Sequence, residues 1–178
     1  MVDSFSARGL RQVCDGSRAL PGTVRAQDVY TAAAYLRSRR DIDASRVGAL
    51  GYSHGGWTGL WAAAHRAAER FGRPPLAAVV SLYPFCPKFA PPLDTDVLIL
   101  AGDADDWALS WRCTEFSAKY TADAAHRPSL VVYPGAHHSF EVNAPDRLYF
   151  GHDLRYDAKA AEDAFLRVRQ FFDQHLRP

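Results

Sequence analysis

Short apolar runs alternate along the chain with stretches in which apolar residues recur every three or four positions. Runs bounded by glycine or proline predict buried strands over 46–52, 76–83, 97–101 and 129–133. The helical spacing predicts helices over 23–39, 54–71, 110–124 and 161–176. Continuously apolar strands that alternate with helices are typical of a mostly parallel sheet covered on both faces. Without a repeat or a linker, residues 1–178 are predicted to form a single α/β domain.

The composition favours a globular protein with a small-molecule ligand. Apolar residues make up 48% of the chain and aromatic residues 12%, which is enough to build a core. A formal net charge of +1 gives no field that would attract nucleic acid or an anionic membrane. No apolar run approaches the length of a membrane span. We therefore expect neither nucleic acid nor a membrane as partner.

The number and spacing of the cysteines help to predict the cellular compartment of the protein. Cys14, Cys86 and Cys113 are too few for a disulfide scaffold, and their spacing fits no zinc motif. The first ten residues have no apolar segment of the kind found in signal peptides. We therefore expect three reduced thiols in a cytoplasmic protein, with one disulfide as the alternative if the protein is exported.

A G-x-S-x-G motif lies between the first predicted strand and the helix that follows it. Its residues are Gly51, Ser53 and Gly55, with Tyr52 and His54 between them. Such a turn lifts a serine hydroxyl above the sheet, and side chains at the glycine positions are expected to collide with their neighbours. The backbone N–H of His54 would then face negative charge that develops at the helix N-terminus. A plain tight turn remains the alternative.

An acid and a base follow the serine in the order that a nucleophile turn requires. The candidate acids, Asp103, Asp105 and Asp106, come directly after the third strand, and the candidate bases, His137 and His138, come after the fourth. Parallel strands bring such positions to one edge of the sheet. The alternatives are turn or capping roles for the aspartates and surface roles for the histidines. A metal site is disfavoured, because adjacent histidines point apart.

Four longer motifs carry a family resemblance: GYSHGGW at 51–57, YPFC at 83–86, GDADDW at 102–107 and YPGAHHSF at 133–140. With these motifs the chain resembles the dienelactone hydrolase family of α/β-hydrolases. The resemblance implies Ser53 as nucleophile, where the founding members have cysteine. It further implies His138 as base and Asp105 as acid, with Asp106 as the fallback.

The resemblance also implies that the beginning of the fold is absent. Family members have further strands before the position that matches residues 1–5, and a loop there supplies a second oxyanion donor. Loss of one such donor lowers turnover by about 10²–10³-fold, so we expect weakened activity. The strand at 46–52 is then predicted to be an exposed edge. We expect a second copy, another polypeptide or a rearranged N-terminus to cover it.

These observations predict hydrolysis of a small carboxylic ester or lactone through an acyl-enzyme, with no metal or organic cofactor. The cavity is expected to be lined by aromatic and imidazole side chains, namely Tyr52, His54, Trp57, Phe85 and Trp107. Two alternatives stay open. One is a hydrolase-like domain recruited for a lyase or cyclase step in biosynthesis. The other is a non-catalytic interaction subunit, against which the retention of Ser53, Asp105 and His138 argues.

Overall fold

A parallel four-stranded sheet organises the chain. The computed structural model describes residues 1–14 and 19–177. In these residues the strands lie in the order β1-β2-β3-β4, and all neighbours are parallel. Their bounds are Ala49–Tyr52, Val79–Leu82, Val97–Gly102 and Pro128–Tyr133. All four predicted strands are confirmed, although the first two are shorter than expected.

Helices cover both faces of this sheet, as the apolar pattern predicts. On one face α1 (Gly22–Arg37), α2 (His54–Ala63) and α4 (Ser110–Ser117) enclose a core that contains alternate residues of the central strands. On the other face, α5 (Ala158–Leu176) packs against the remaining residues of those strands. Because strand side chains alternate in direction, one buried strand supplies both cores.

The helix predicted over 54–71 is wrong as a single element. Ala64 is extended and Arg66 has a φ of 64°, so α2 ends at Ala63 and a short α3 follows at Ala67–Arg70. The break has a distant cause. The carboxylate of Asp94 accepts a hydrogen bond from the Arg66 N–H at 2.8 Å and contacts His65 Nδ1 at 2.6 Å. A local helical pattern cannot reveal these contacts, which lie nearly thirty residues away.

Two further elements differ from expectation. The helix predicted over 110–124 ends at Ser117, where the chain enters turns and the Tyr120 hydroxyl donates to the Pro91 carbonyl at 2.6 Å. The sequence pattern did not predict an antiparallel hairpin of β5 (Arg147–Tyr149) and β6 (His152–Leu154). The hairpin follows His138 in the chain and lies beside the cavity described below.

The expectation of three reduced thiols is wrong for two of them. Cys86 and Cys113 form a disulfide, and only Cys14 is free among the described residues. The disulfide joins the loop after β2 to α4. Both cysteines are buried, because α4 packs directly on that loop. Their proximity depends on tertiary packing, which the spacing of 27 residues does not encode.

Strand β1 forms one edge of the sheet, as predicted for the strand over 46–52. The side chains of Leu50 and Tyr52 on this strand are exposed. The described N-terminal residues form a 3-10 turn at Ser6–Arg8 and do not pair with β1. Cover of the edge by a second copy or another polypeptide stays a prediction. Within residues 1–14 and 19–177, every helix is too short or too polar to cross a membrane.

Candidate active site

Ser53 stands on a strained turn between β1 and α2. Its φ of 51° and ψ of −117° fall outside the regions that residues other than glycine usually adopt. Gly51 makes the turn possible, because a Cβ there would lie 2.2 Å from the Gly55 carbonyl oxygen. The expectation for the other glycine of the motif is wrong, since a Cβ on Gly55 would meet no atom within 4 Å.

Asp105 is held by backbone donors at the end of β3. Its Oδ1 accepts hydrogen bonds from the N–H groups of Trp107 and Ala108, each at 2.8 Å. Gly102 allows the β3 loop to approach the β4 loop, because a Cβ there would lie 2.0 Å from the Ala136 carbonyl oxygen. These contacts fix the carboxylate and leave Oδ2 directed at the next loop.

His138 joins the acid to the serine. Its Nδ1 lies 2.8 Å from Asp105 Oδ2, and its Nε2 lies 2.9 Å from Ser53 Oγ. The His138 side chain is 3% exposed and that of Asp105 is 0% exposed. The ring of His138 also packs between Tyr83, at 4.6 Å between centroids, and Trp107, at 5.0 Å. The structure thus brings together the three residues that the sequence singled out.

The other candidates of the two loops lie elsewhere. Asp103 Oδ1 accepts a hydrogen bond from the Gly135 N–H at 2.5 Å, which is a turn contact. Asp106, the fallback acid, faces His152 and not His138. The side chain of His137 has a buried Nδ1 that contacts no partner among the described residues. Of the three aspartates only Asp105, and of the two histidines only His138, therefore belongs to the contact chain that reaches Ser53.

A cavity of about 190 Å³ opens in front of Ser53 and His138. Apart from these two residues its lining is mostly apolar or aromatic, and consists of Val13, Cys14, His54, Trp57, Phe85, Trp107 and Ala108. Four of the five predicted lining residues are present. Tyr52 is the exception, since its half-exposed ring lies outside the cavity and packs near Tyr83. No sequence signal points to the lining roles of Val13, Cys14 and Ala108.

His54 forms the cavity wall next to the serine and is neutral near neutral pH. Arg25 Nη1 lies 2.7 Å from His54 Nδ1. Because guanidinium groups only donate, Nδ1 must accept, and the ring proton lies on Nε2. Burial, together with the Arg25 charge, lowers the pKa of His54 to about 4. The backbone N–H of His54 is at the first position of α2, so it has no acceptor within the helix.

Tyr83 is a second aromatic ring, besides Trp107, that packs against His138. Its hydroxyl donates to Glu141 Oε1 at 2.5 Å, and its backbone φ is 35°. Burial, reinforced by the Glu141 charge, raises the pKa of Tyr83, so the phenol stays protonated. The pair fixes the phenol ring against the imidazole, and the imidazole is thereby held on two sides.

A parallel sheet with helices on both faces, and a strained serine between a strand and a helix, defines the α/β-hydrolase fold. The chain belongs to the dienelactone hydrolase family, whose model matches residues 16–176. Among curated proteins, none matches the chain significantly.

Solved structures with this fold include distant relatives. A dienelactone hydrolase-like promiscuous phosphotriesterase from metagenomic libraries is 24% identical with a TM-score of 0.66, over 86% of this chain and 61% of its own. An α/β-hydrolase from a Medee basin deep-sea metagenome is 17% identical with a TM-score of 0.66, and the match covers 86% of this chain and 65% of that protein. The thermophilic esterase of Thermogutta terrifontis is 18% identical with a TM-score of 0.64, and the match covers 92% of this chain and 70% of that esterase. The chain therefore spans less than two thirds of the first two proteins.

Proposed function

We propose that this chain is a serine hydrolase that cleaves a small carboxylic ester or lactone. The observation that carries the proposal is the continuous contact from Asp105 through His138 to Ser53. A serine hydroxyl is a poor nucleophile unless a base takes its proton, and a base works best when a third group orients it. The family supports hydrolysis as the class of reaction.

In the first half of the reaction, Ser53 Oγ attacks the carbonyl carbon while His138 Nε2 takes the hydroxyl proton. Asp105 keeps Nδ1 protonated and stabilises the imidazolium that forms. The N–H of His54 is directed at the carbonyl oxygen as its negative charge grows, assisted by the dipole of α2. His138 then returns the proton to the leaving alcohol oxygen, the C–O bond breaks, and the acyl group stays on Ser53.

In the second half, water takes the place of the alcohol. His138 removes a proton from the water, whose oxygen attacks the acyl carbon, and the proton then passes to Ser53 Oγ as the acyl bond breaks. One carboxylic acid is released and the serine is regenerated. Water and the side chains of Ser53, His138 and Asp105 account for every bond that forms or breaks in the two halves.

The cavity favours a small substrate with an apolar or aromatic group. Its lining offers Trp57, Phe85 and Trp107 as contact surfaces, and its volume is about 190 Å³. The disulfide between Cys86 and Cys113 ties the loop that carries Phe85 to the helix that follows Trp107. We therefore propose that two walls of the cavity are kept at a constant separation.

The test combines covalent labelling with turnover. The purified chain is treated with a fluorophosphonate and weighed intact, and it is assayed with p-nitrophenyl acetate and p-nitrophenyl butyrate. We expect one adduct and measurable hydrolysis, both lost in Ser53→Ala and His138→Ala. Labelling of Ser53 without turnover of any short ester would favour the lyase or cyclase alternative. Absence of both would favour a non-catalytic subunit.

A further inference from the structure

A second Asp–His pair lies directly beside the first. His152 Nδ1, in the β5–β6 hairpin, lies 3.4 Å from Asp106 Oδ1, and Asp106 Oδ2 accepts a hydrogen bond from the Asp153 N–H at 3.3 Å. Asp105 and Asp106 are neighbours in the chain, so one short loop supplies a carboxylate to each of two histidines. Among the residues that the structure describes, neither member of the second pair hydrogen-bonds to a serine, so this pair does not repeat the arrangement around Ser53.

Trp107 lies between the two histidines. The ring of His152 stacks on the indole with centroids 4.5 Å apart and planes 11° apart. The indole also packs against His138, at 5.0 Å and 42°, and it lines the cavity. Asp105 fixes the backbone of Trp107 through its N–H, but that contact leaves the side-chain torsions free. The indole also contacts Tyr149 of the same hairpin, at 6.1 Å between centroids. Of these three ring contacts, the stack with His152 is the shortest and the most nearly parallel.

The hairpin that carries His152 is anchored on the backbone around His138. Leu154 forms a parallel bridge with His138, and the Asp157 N–H donates to the Phe140 carbonyl at 2.9 Å. His152 is only two residues from that bridge, so its distance from His138 is set by the backbone. The second strand of the hairpin is therefore anchored directly beside the base that the proposed mechanism uses.

We propose that His152 is a positioning residue whose ring, by stacking on the Trp107 indole, holds that indole as a fixed wall of the substrate cavity and thereby sets the fit of the acyl or alcohol group. This inference rests on the proposed function of the cavity. His138 has its own contacts to Asp105 and Tyr83, so loss of His152 acts on substrate fit more than on proton transfer. We therefore expect loss of His152 to change KM and the relative activity toward different substrates.

The test compares variants that remove the stack with one that keeps it. His152→Ala removes the ring, His152→Gln removes the ring but keeps polarity and bulk, and His152→Phe keeps a stacking ring without the Asp106 contact. For p-nitrophenyl butyrate we expect the first two to raise KM about three- to tenfold, the range of one aromatic stack. The value of kcat should stay within about twofold. His152→Phe should return KM to within about twofold of the wild type.

A second readout does not depend on turnover. Acrylamide quenching of Trp107 is obtained as the difference between each protein and its Trp107→Phe counterpart. We expect greater quenching in His152→Ala and His152→Gln, and wild-type quenching in His152→Phe. Unchanged quenching and KM in the first two variants, a loss confined to kcat, or a His152→Phe protein that behaves like His152→Ala would each overturn the proposal. A wild-type protein that turns over no ester refutes the proposed function, while the quenching series still decides the role of His152.

Discussion

The two Asp–His pairs beside the cavity differ in burial although their aspartates are adjacent in the chain. The side chains of Asp105 and His138 are 0% and 3% exposed, whereas those of Asp106 and His152 are 49% and 30% exposed. Two backbone N–H groups donate to Asp105 at 2.8 Å each, whereas one backbone N–H, that of Asp153, donates to Asp106 at the longer distance of 3.3 Å. The same residue types therefore serve different purposes. A buried carboxylate can orient a base, and an exposed one contributes little to stability.

The two histidines also differ in whether a serine lies beside them. Of the two histidines, His138 alone has a serine within hydrogen-bonding distance in the described part of the chain, because the strained turn after β1 raises Ser53 to it. The half-buried His152 stacks on the Trp107 indole instead. Burial, fixed backbone donors and the strained turn together distinguish the proposed catalytic pair from the positioning pair. Each of these three features can be removed separately.

Removal of the buried carboxylate should have the largest effect. Asp105→Asn leaves His138 Nδ1 without its charged partner and favours the wrong tautomer, so we expect kcat to fall by about 10³–10⁴-fold. The matched control is Asp106→Asn, for which kcat should change by less than about threefold. Both are measured with p-nitrophenyl acetate. Equal losses in the two variants would contradict the distinction between the pairs.

The strained turn is tested by its two glycines. In Gly51→Ala the new Cβ would lie 2.2 Å from a carbonyl oxygen, so the turn must move, whereas Gly55→Ala enters open space. We expect the first variant to lower Tm by more than about 5 °C and the second to change it by about 1 °C or less. Thermal unfolding followed by circular dichroism provides the measurement. A stable and active Gly51→Ala protein would show that the turn does not need its glycine.

A third histidine near the site, His54, is expected to make the stability of the fold depend on pH. The pKa of His54 is about 4 in the folded chain against an ordinary value of 6.5, so the unfolded chain binds the proton more tightly between these values. The free energy of unfolding, relative to that of His54→Gln, should be constant above pH 6.5, fall as the pH drops toward about 4, and level off below. Urea titrations across this range measure it. A flat difference would mean that His54 is not held neutral beside Arg25.

The smallest expected effect is on the stability contributed by the exposed pair. Asp106→Asn should change the free energy of unfolding by less than about 1 kcal/mol, because both partners are solvated and screened by salt. Urea unfolding at low and at high salt measures this value. A loss of more than about 2 kcal/mol would contradict the solvated position of this pair.

Much of the sheet could be predicted from sequence, because a strand buried on both faces is a continuous apolar run. The order of Ser53, Asp105 and His138 at strand ends predicted their proximity, and the structure places them in contact, while their catalytic roles stay a proposal. The β5–β6 hairpin escaped prediction, since β5 is exposed along its length and carries no alternating pattern. The break after α2 and the disulfide depend on partners distant in the chain.

The central claim is that the buried pair, and not the exposed one, activates Ser53. The most direct measurement is the rate of fluorophosphonate labelling, with the adduct located by peptide mapping, in the wild type, Asp105→Asn and Asp106→Asn. We expect the adduct on Ser53 in the wild type, nearly the same rate in Asp106→Asn, and a rate lower by about 10³-fold in Asp105→Asn. An adduct on another residue, or equal rates in the two variants, would contradict the account.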